Sequence, residues 1–230
     1  MSDVDRCELE PALAREQNVL AVEHLIRGLP GGKALLVFVS TDYVFDGTKG
    51  LPYDERDAPR PISVYGLSKW EAEQAVRRYP RSVVVRTSTL FGPGRSNFCD
   101  HIASQLRAGK PVEAFIDQTT SPTSTEDLAE GIEELSAALA RSWGAATPRL
   151  YHMANAGASS RVAFARRIAQ LLGCSEALVR PIPMEAQRRP ARRPPYSALA
   201  SLHLRAVIGR TLRPWDDALR AYLRQRGWIS

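Results

Sequence analysis

One apolar run followed at once by polar residues constrains the fold of this chain more than any other stretch of its sequence. Residues 34–39 read Ala-Leu-Leu-Val-Phe-Val, which is typical of a strand buried on both faces of a parallel sheet. Ser40, Thr41 and Asp42 follow directly, so polar side chains stand where this strand ends. Ligands of open α/β sheets bind outside the carboxyl ends of the strands. The sequence therefore predicts an α/β fold with a site at this position.

A tyrosine and a lysine further along the chain add acid–base chemistry to that site. Tyr65 and Lys69 are four residues apart in a predicted helix, so they share one face of it. A free phenol has a pKa of about 10, and a nearby ammonium is expected to lower the pKa of Tyr65. Thr41 can hold a substrate oxygen against the phenol. The pattern Tyr-x-x-x-Lys alone more often marks a solvated helix face. Together with the Ser40-Thr41 strand end, it favours proton transfer at a carbonyl or alcohol oxygen, coupled to hydride transfer at the attached carbon.

Apolar runs and helical periodicities alternate through the chain, which predicts a parallel sheet with right-handed helical crossovers. The predicted strands are residues 34–39, 82–86 and 149–154. The predicted helices are residues 9–29, 64–79, 97–108, 123–139, 159–172 and 215–226. Residues 181–195 are rich in proline and arginine and are predicted to be a connector.

The net charge of +6 at pH 7 comes largely from arginines late in the chain, among them Arg188, Arg189, Arg192 and Arg193. Nucleic-acid binding is disfavoured, because the segment has no interleaved aromatic residues and no known binding module. An anionic substrate fits better, since the planar guanidinium donates two parallel hydrogen bonds to a phosphate. A solvated loop explains any single one of these arginines equally well.

The cysteines and histidines form no pattern that indicates a metal site. Cys7, Cys99 and Cys174 lack metal-ligand and Cys-x-x-Cys spacing, and an odd, sparse set favours free thiols in a reducing compartment. His152 is interpreted as a structural residue on a buried strand. No apolar stretch is long enough to span a bilayer, and the N-terminus is unlike a signal peptide. We expect a cytoplasmic, soluble protein that binds no metal, membrane or nucleic acid.

Several segments, in order along the chain, resemble the extended short-chain dehydrogenase/reductases and, within them, the dTDP-4-dehydrorhamnose reductase family. The most specific are the octet Ser40 to Gly47 and the run from Arg189 to Pro194 with Tyr196-Ser197. Tyr65 to Lys69 marks only the superfamily. The other matching segments are Val4-Asp5-Arg6 with Glu10-Pro11, Val85 to Ser88, Asp117-Gln118 with Ser121-Pro122-Thr123, Asp127-Leu128-Ala129, and Tyr151-His152 with Asn155.

The resemblance implies an NADPH- or NADH-dependent enzyme that reduces the 4-keto group of a dTDP-linked 4-keto-6-deoxy sugar, of the dTDP-4-dehydrorhamnose to dTDP-L-rhamnose type. It implies that Tyr65 gives the proton, Thr41 orients the oxygen, and Lys69 holds the nicotinamide ribose. The residues implied to bind the cofactor are Ser40, Tyr65, Lys69, Thr87 and Ser88. Those implied to bind the substrate are Thr41, Asp42, Thr89, Arg189, Arg192 and Arg193.

The sequence differs from this family at two positions and lacks one of its motifs. Thr89 stands where many of these reductases have tryptophan, and Thr120 stands where glycine or arginine is common. No G-x-G-x-x-G or G-x-x-G-x-x-G turn occurs in the 230 residues. That turn would hold the cofactor pyrophosphate at a helix N-terminus. We expect a truncated or mis-assigned start; a second chain that supplies the missing half and a degenerate, non-catalytic relative are the alternatives.

The resemblance thus implies a partial doubly wound, Rossmann-like sheet with a smaller C-terminal substrate-binding lobe. Residues 1–92 are assigned to the dinucleotide-binding domain and residues 93–230 mainly to the lobe, with some segments returning to the sheet. A homodimer or a complementing N-terminal segment is the expected partner. Two other functions stay open. One is a different sugar-nucleotide epimerase or 4-ketoreductase, and the other is a non-catalytic regulatory subunit of the same fold, such as a methionine adenosyltransferase β-like protein.

Overall fold

The computed structural model describes residues 1–94 and 97–230, and helices alternate with strands through these ranges. Its α-helices are α1 (Val4–Leu9), α2 (Pro11–Arg15), α3 (Ala21–Gly28), α4 (Val64–Arg77), α5 (Phe98–Arg107), α6 (Thr125–Ser142), α7 (Arg161–Leu172), α8 (Leu204–Ile208) and α9 (Trp215–Gln225). A π-helix at Glu16–Leu20 joins α2 to α3, and 3-10 turns lie at Asp42–Val44, Glu176–Leu178 and Met184–Ala186.

The strands are β1 (Leu36–Thr41), β2 (Ser82–Thr87), β3 (Leu90–Phe91), β4 (Val112–Phe115), β5 (Thr119–Thr120), β6 (Thr123–Ser124), β7 (Leu150–His152), β8 (Ser159–Ser160) and β9 (Val179–Ile182). The main sheet has the order β1-β2-β7, and both of its pairings are parallel. Ser40 pairs with Arg86 and Thr41 with Thr87 in its register. The predicted parallel α/β arrangement is confirmed, and the polar ends of two neighbouring strands lie side by side.

The described residues form three further sheets of two strands each, β3-β6, β4-β9 and β5-β8, which were not predicted. Strands β4 and β9 pair in parallel, with Ala114 opposite Pro181. The prediction that residues 181–195 form a connector is therefore wrong at its start. Proline lacks a backbone N–H and reads as a strand breaker, but an edge strand tolerates it. β9 is such an edge strand, since β4 is its partner in a two-stranded sheet.

Two of the three clusters of buried apolar residues in the described ranges lie against the main sheet and the β4-β9 sheet. One is built between the main sheet and α6, with Val83, Val85, Leu135 and Tyr151 fully buried. The other joins α5, α7 and α9, and its fully buried members include Ile102, Ile168 and Leu219. Strand β2 is buried along its whole length, which explains its unbroken valine run. The division of the chain at residue 92 stays a prediction.

The N-terminal helical segment is less regular than its periodicity predicts. A single helix over residues 9–29 was expected, whereas the chain forms α1, α2, the π-helix and α3 in succession. The break falls before Pro11, which occupies the first position of α2 where a missing N–H costs nothing. Asn18 lies in the π-helix and is buried, and its side-chain amide donates to Ser68 Oγ at 2.9 Å. Asn18 therefore joins this segment to α4.

The outer edge of the main sheet is formed by β1. No other strand in residues 1–94 or 97–230 pairs with that edge. Val39 is 38% exposed and Leu25 of the neighbouring α3 is 54% exposed, so this side carries apolar surface. No helix within the described ranges has the length and apolar content needed to cross a membrane.

Candidate functional site

The carboxyl end of β1 places three polar residues at the floor of the site. Ser40, Thr41 and Asp42 are all buried. Thr41 ends the strand in extended conformation, and its Oγ1 accepts a hydrogen bond from the backbone N–H of Tyr43 at 3.2 Å. This bond turns the chain into the 3-10 helix at Asp42–Val44. The local fold therefore follows from the Thr-Asp pair at the strand end.

Helix α4 brings Tyr65 and Lys69 to the same place. Ser63 caps this helix by accepting from the backbone N–H of Gly66 at 3.2 Å, which puts Tyr65 in the first turn. A Cβ atom on Gly66 would lie 2.1 Å from the carbonyl oxygen of Tyr43, so only glycine allows this approach. Thr41 and Tyr65 are hydrogen-bonded through their side chains. The predicted convergence of the strand end and the helix face is present in the structure.

A cavity of about 400 Å³ opens at this point. It brings together eight residues that the sequence predicted for the site, namely Ser40, Thr41, Asp42, Tyr65, Lys69, Thr87, Ser88 and Thr89. Its remaining lining residues are Ser2, Val4, Val39, Tyr43, Leu90 and Arg161. One cavity thus holds two phenols, several hydroxyl groups and two cationic side chains, which together can protonate an oxygen of an anionic ligand.

The acid–base properties of Tyr65 differ from the expectation. Burial in the cavity wall raises the pKa of Tyr65 to about 12, although the hydrogen bond with Thr41 acts in the opposite direction. Lys69 does not lower it, because the Lys69 ammonium donates to the carbonyl oxygen of Val39 at 2.8 Å and lies 4.2 Å from the ring centroid of Phe38. The prediction that the ammonium lowers the pKa of Tyr65 is wrong in this structure. Tyr65 is a neutral phenol at physiological pH, as a proton donor must be.

Lys69 itself is held in a low-polarity position. Burial lowers the pKa of Lys69 to about 8, and the carboxylate of Glu73 one helical turn away acts in the opposite direction. One of its three N–H donors is used by the Val39 carbonyl. The ammonium can therefore donate to a further acceptor in the cavity, such as a ribose hydroxyl.

Asp42 occupies the centre of a buried hydroxyl network. Its carboxylate accepts from Ser88 Oγ at 2.8 Å, Ser197 Oγ at 2.5 Å and Thr41 Oγ1 at 3.1 Å. Burial raises the pKa of Asp42, and these three hydroxyl groups oppose that rise. The network ties the ends of β1 and β2 to the segment that carries Ser197. Asp42 therefore organises the cavity wall, and its contact with a substrate stays a prediction.

The residues after β2 line the same cavity. The side-chain oxygen of Thr87 is buried and has no hydrogen-bond partner in the part of the chain that the structure describes. Thr89 has a φ of 31°, a backbone conformation that L-residues other than glycine rarely adopt. Its carbonyl oxygen accepts from the backbone N–H of Thr123 at 2.9 Å, which anchors the turn between β2 and β3. An unpaired buried hydroxyl and a constrained turn are typical of a binding site.

The late arginines line a second cavity, and their contact with a substrate stays a prediction. Arg189, Arg192 and Arg193 line a second cavity of about 420 Å³, and none of them lines the one that contains Tyr65. Arg193 forms a bidentate ion pair with Asp5, at 2.6 and 2.8 Å. Arg189 lies over the ring of Phe115, 5.1 Å from its centroid. Arg193 also bonds to the hydroxyl of Tyr43, which lines the cavity of Tyr65, so the second cavity is linked to the first through this tyrosine.

A buried ion pair behind the cavity was missed. Glu73 and Arg86 are 0% and 1% exposed and are joined by two hydrogen bonds of 2.9 and 2.7 Å. Ser40 Oγ donates to the same carboxylate at 2.6 Å. The pair connects α4 to β2 directly behind the strand end. Its signal in the sequence is the position of Glu73 four residues after Lys69, on the same helix face.

Two further residues line the cavity and were not predicted for the site. The ring of Tyr43 meets that of Tyr65 edge-on at 5.9 Å, and the Tyr43 hydroxyl accepts from the Gln118 side chain at 3.4 Å. Arg161 begins α7. Phe45 is a core residue, stacked on Tyr53 at 4.1 Å. Nothing in the sequence around Arg161 distinguishes it from a solvated helix start.

His152 has the structural role that was predicted. It is 1% exposed, and its Nδ1 lies 3.0 and 3.1 Å from the carbonyl oxygens of Tyr53 and Ala200. Burial lowers the pKa of His152, so the ring is neutral. Within the described ranges, no group of three or more His, Cys, Asp and Glu side chains is arranged to hold a metal ion.

Known proteins resemble this chain over nearly its full length. The family model described as the RmlD substrate binding domain matches residues 1–227. The dTDP-4-dehydrorhamnose reductase of Streptomyces griseus is 38% identical over 221 residues, which make up 94% of this chain and 71% of the relative. A probable dTDP-4,6-dihydroxy-2-methyloxan-3-one 4-ketoreductase of Streptomyces antibioticus is 36% identical over 219 residues, or 94% of this chain and 72% of the relative.

A solved structure gives the same picture of the fold. The crystal structure of dTDP-4-dehydrorhamnose reductase from Bacillus anthracis, in complex with NADP, superimposes with a TM-score of 0.89 at 30% identity. The superposition covers 98% of this chain and 78% of that chain. The relationship extends through the main sheet and the β4-β9 sheet.

Proposed function

This chain belongs to the family of the RmlD substrate binding domain, and we propose that it reduces the 4-keto group of dTDP-4-dehydrorhamnose with NADPH or NADH. The observation that carries the proposal is the convergence of Thr41, Tyr65 and Lys69 on one cavity. Its related reductases from Streptomyces and Bacillus are named for this reaction. A cytoplasmic location and a dTDP-sugar ligand belong to the same proposal.

The acid–base roles follow from the geometry. Tyr65, which is a neutral phenol, donates its proton to the substrate oxygen. Thr41, which is hydrogen-bonded to Tyr65, orients that oxygen. The buried environment strengthens both interactions, since little water competes for the donors. Asp42 fixes the side chains of Ser88 and Thr41 by accepting a hydrogen bond from each hydroxyl group.

The residues around Lys69 fit a nicotinamide ribose. Lys69 has donors to spare beside the Val39 carbonyl, and Thr87 presents a buried oxygen that lacks a partner among the described residues. When bound, the nicotinamide supplies the hydride. We propose that Lys69 and Thr87 hold the cofactor with Ser40 and Ser88. The second cavity, with Arg189, Arg192 and Arg193, is proposed to receive the outer part of the sugar nucleotide.

A related 4-ketoreductase is the second candidate function. Thr89 replaces the tryptophan that many of these reductases carry, and the relative from Streptomyces antibioticus is a probable 4-ketoreductase of a different dTDP-sugar. A smaller side chain at this position leaves room for another sugar. The regulatory-subunit alternative is disfavoured by the presence of Thr41, Tyr65 and Lys69 in one cavity.

A substrate panel tests the proposed function. The 230 residues contain no glycine-rich dinucleotide turn, so the assay uses a complemented chain, in which they are joined to the part of the Streptomyces griseus relative outside the aligned region. We expect this complemented chain to oxidise NADPH in the presence of dTDP-4-dehydrorhamnose and to leave UDP- and GDP-linked 4-keto sugars unreduced. Turnover only with another dTDP-4-keto sugar would favour the second candidate. No turnover with any of them would contradict both.

The pKa of Lys69 predicts a pH dependence of cofactor binding. With a pKa of about 8, Lys69 is an ammonium below that value and loses its proton as the pH rises through it. Donation to the ribose is therefore present at low pH and lost at high pH. We expect the dissociation constant for NADPH, measured by fluorescence titration of the complemented chain, to rise by up to about tenfold per pH unit above pH 8. The Lys69→Met variant is expected to bind weakly without this rise, and the same rise in the variant would exclude Lys69 as its source.

A further inference from the structure

Arg161 is a charged residue of the cavity to which the catalytic roles above assign no function. It is the first residue of α7, directly after the short strand β8. Strands β5 and β8 pair antiparallel, with Thr119 opposite Ser160. The backbone N–H of Arg161 donates to the carbonyl oxygen of Gln118 at 3.0 Å, and its Nε donates to the side-chain oxygen of the same residue at 3.2 Å. The arginine is thus fixed at both its backbone and its side chain.

The Arg161 guanidinium forms no direct ion pair with a carboxylate in the described parts of the chain. Ten other arginines lie within ion-pair distance of a carboxylate, and Arg161 does not. Its guanidinium bonds to the Gln118 amide and the Tyr43 hydroxyl, which are neutral groups, and stacks 4.9 Å from the ring centroid of Phe98. The Asp42 carboxylate attracts Arg161 electrostatically, but the side-chain hydrogen bonds that its two oxygens accept come from three hydroxyl groups and not from Arg161.

A guanidinium that lines a cavity and forms no direct ion pair is suited to an anionic ligand. Arg161 is partly buried, and the loss of water lowers the pKa of its guanidinium, although the Asp42 carboxylate acts in the opposite direction. Charges that are withdrawn from water are normally paired directly, so we expect a direct partner from outside the chain. A guanidinium is planar and donates two parallel hydrogen bonds, which matches the oxygens of a phosphate.

The position of Arg161 relative to Tyr65 suits one part of a sugar nucleotide. Tyr43 contacts both, because its ring meets the Tyr65 ring at 5.9 Å and its hydroxyl bonds to Arg161. Arg161 is therefore about one aromatic side chain away from the proton donor. In a 4-keto hexosyl nucleotide the ketone and the diphosphate stand on opposite carbons of the pyranose ring. If the ketone is held at Tyr65, the diphosphate lies about one sugar ring away from Tyr65. The Tyr43 ring spans a similar separation between Tyr65 and Arg161, so Arg161 can reach the diphosphate.

Building on the function proposed above, we propose that Arg161 binds the diphosphate of the nucleotide sugar. The residue then selects diphosphate-linked sugars over free sugars and aligns the ketone with Tyr65. Arg193 bonds to the same Tyr43 hydroxyl but lines the other cavity with Arg189 and Arg192, whereas Arg161 lines the cavity of Tyr65. The proposed role makes Arg161 a binding residue of the cavity in which the chemistry takes place.

The test measures binding of dTDP to the 230-residue chain by calorimetry. Arg161→Met keeps the length and the packing on Phe98 but removes the charge. Arg161→Lys keeps the charge but loses the planar group that donates two parallel hydrogen bonds. We expect Arg161→Met to weaken dTDP binding by roughly 10- to 100-fold and Arg161→Lys by less, in line with the loss of charge-assisted hydrogen bonds. Arg166→Met, an exposed arginine on the same helix, is the matched control and is expected to bind dTDP normally.

Two outcomes would overturn the inference, and they are distinguishable. Normal dTDP binding by Arg161→Met would exclude Arg161 as the diphosphate ligand and leave the proposed function intact. Failure of the unmodified chain to bind dTDP would contradict the proposed function together with the inference. Circular dichroism melting of each variant checks that it is folded. In the complemented chain, Arg161→Met is further expected to raise KM for the nucleotide sugar by a similar factor and to change kcat much less.

Discussion

Tyr65→Phe should lower the turnover of the complemented chain by roughly 10²- to 10⁴-fold, which is the usual contribution of a positioned acid. The substitution removes only the hydroxyl and keeps the ring that contacts Tyr43 at 5.9 Å. Tyr65 is the protonated phenol of the cavity, with a pKa of about 12 and a hydrogen bond to Thr41. Without it, the developing oxyanion must take its proton from water. Steady-state oxidation of NADPH with dTDP-4-dehydrorhamnose measures the effect.

Binding measurements separate this catalytic role from a structural one. The affinity for the nucleotide sugar should change far less than turnover, because the lost interaction matters mainly in the transition state. Thr41→Val should reduce turnover by a smaller factor, since it removes an orienting hydroxyl and leaves the proton donor in place. Near-normal ketone reduction by Tyr65→Phe would contradict the mechanism and favour a non-catalytic role for the chain.

The largest effect on stability is expected from breaking the buried ion pair. Arg86→Met should lower the free energy of unfolding by about 3 to 5 kcal/mol, because it leaves the Glu73 carboxylate buried without a cation. Both side chains are essentially inaccessible to solvent, at 1% and 0% exposure, so water cannot replace the lost partner. Urea denaturation followed by circular dichroism measures the change.

A double variant provides the control for that experiment. In Glu73→Leu with Arg86→Met, both charges are absent and the space is filled by apolar side chains. Its stability should lie much closer to that of the unmodified chain, with a residual loss from Ser40, whose hydroxyl donates to Glu73. If the double variant were as unstable as Arg86→Met alone, loss of packing rather than the uncompensated charge would be the cause.

The sequence predicts the acid–base residues because short-range rules place them. A strand that ends in Ser40-Thr41 fixes where the hydroxyls lie, and the helical repeat fixes Tyr65 and Lys69 on one face. The predicted parallel pairing of β1 and β2 then brings Thr41 beside Thr87. Each of these steps depends on residues close in sequence or on a general property of parallel sheets.

Other features depend on contacts between residues far apart in the chain and were missed. Arg161 enters the cavity only because β8 pairs with β5, and neither two-residue strand has a periodicity to detect. β9 was taken for a connector because Pro181 reads as a breaker. The pKa of Tyr65 was expected to fall, whereas Lys69 turns towards Val39 and burial decides the direction. The spacing of residues along a helix predicts which face carries a side chain. It does not predict the position of the terminal charged group of a long side chain such as that of Lys69.

The close approach at Gly66 bears on how other chains with this chemistry are recognised. Tyr-x-x-x-Lys is a loose pattern, since any helix can carry it by chance. Here the residue after Tyr65 lies against the Tyr43 carbonyl, where even a methyl group would collide. A sequence search can require glycine at that position together with a Ser-Thr-Asp strand end some twenty residues earlier. The required glycine reflects a steric condition that chance occurrences of Tyr-x-x-x-Lys do not have to meet. Such a search would favour chains in which the catalytic helix can reach the strand end.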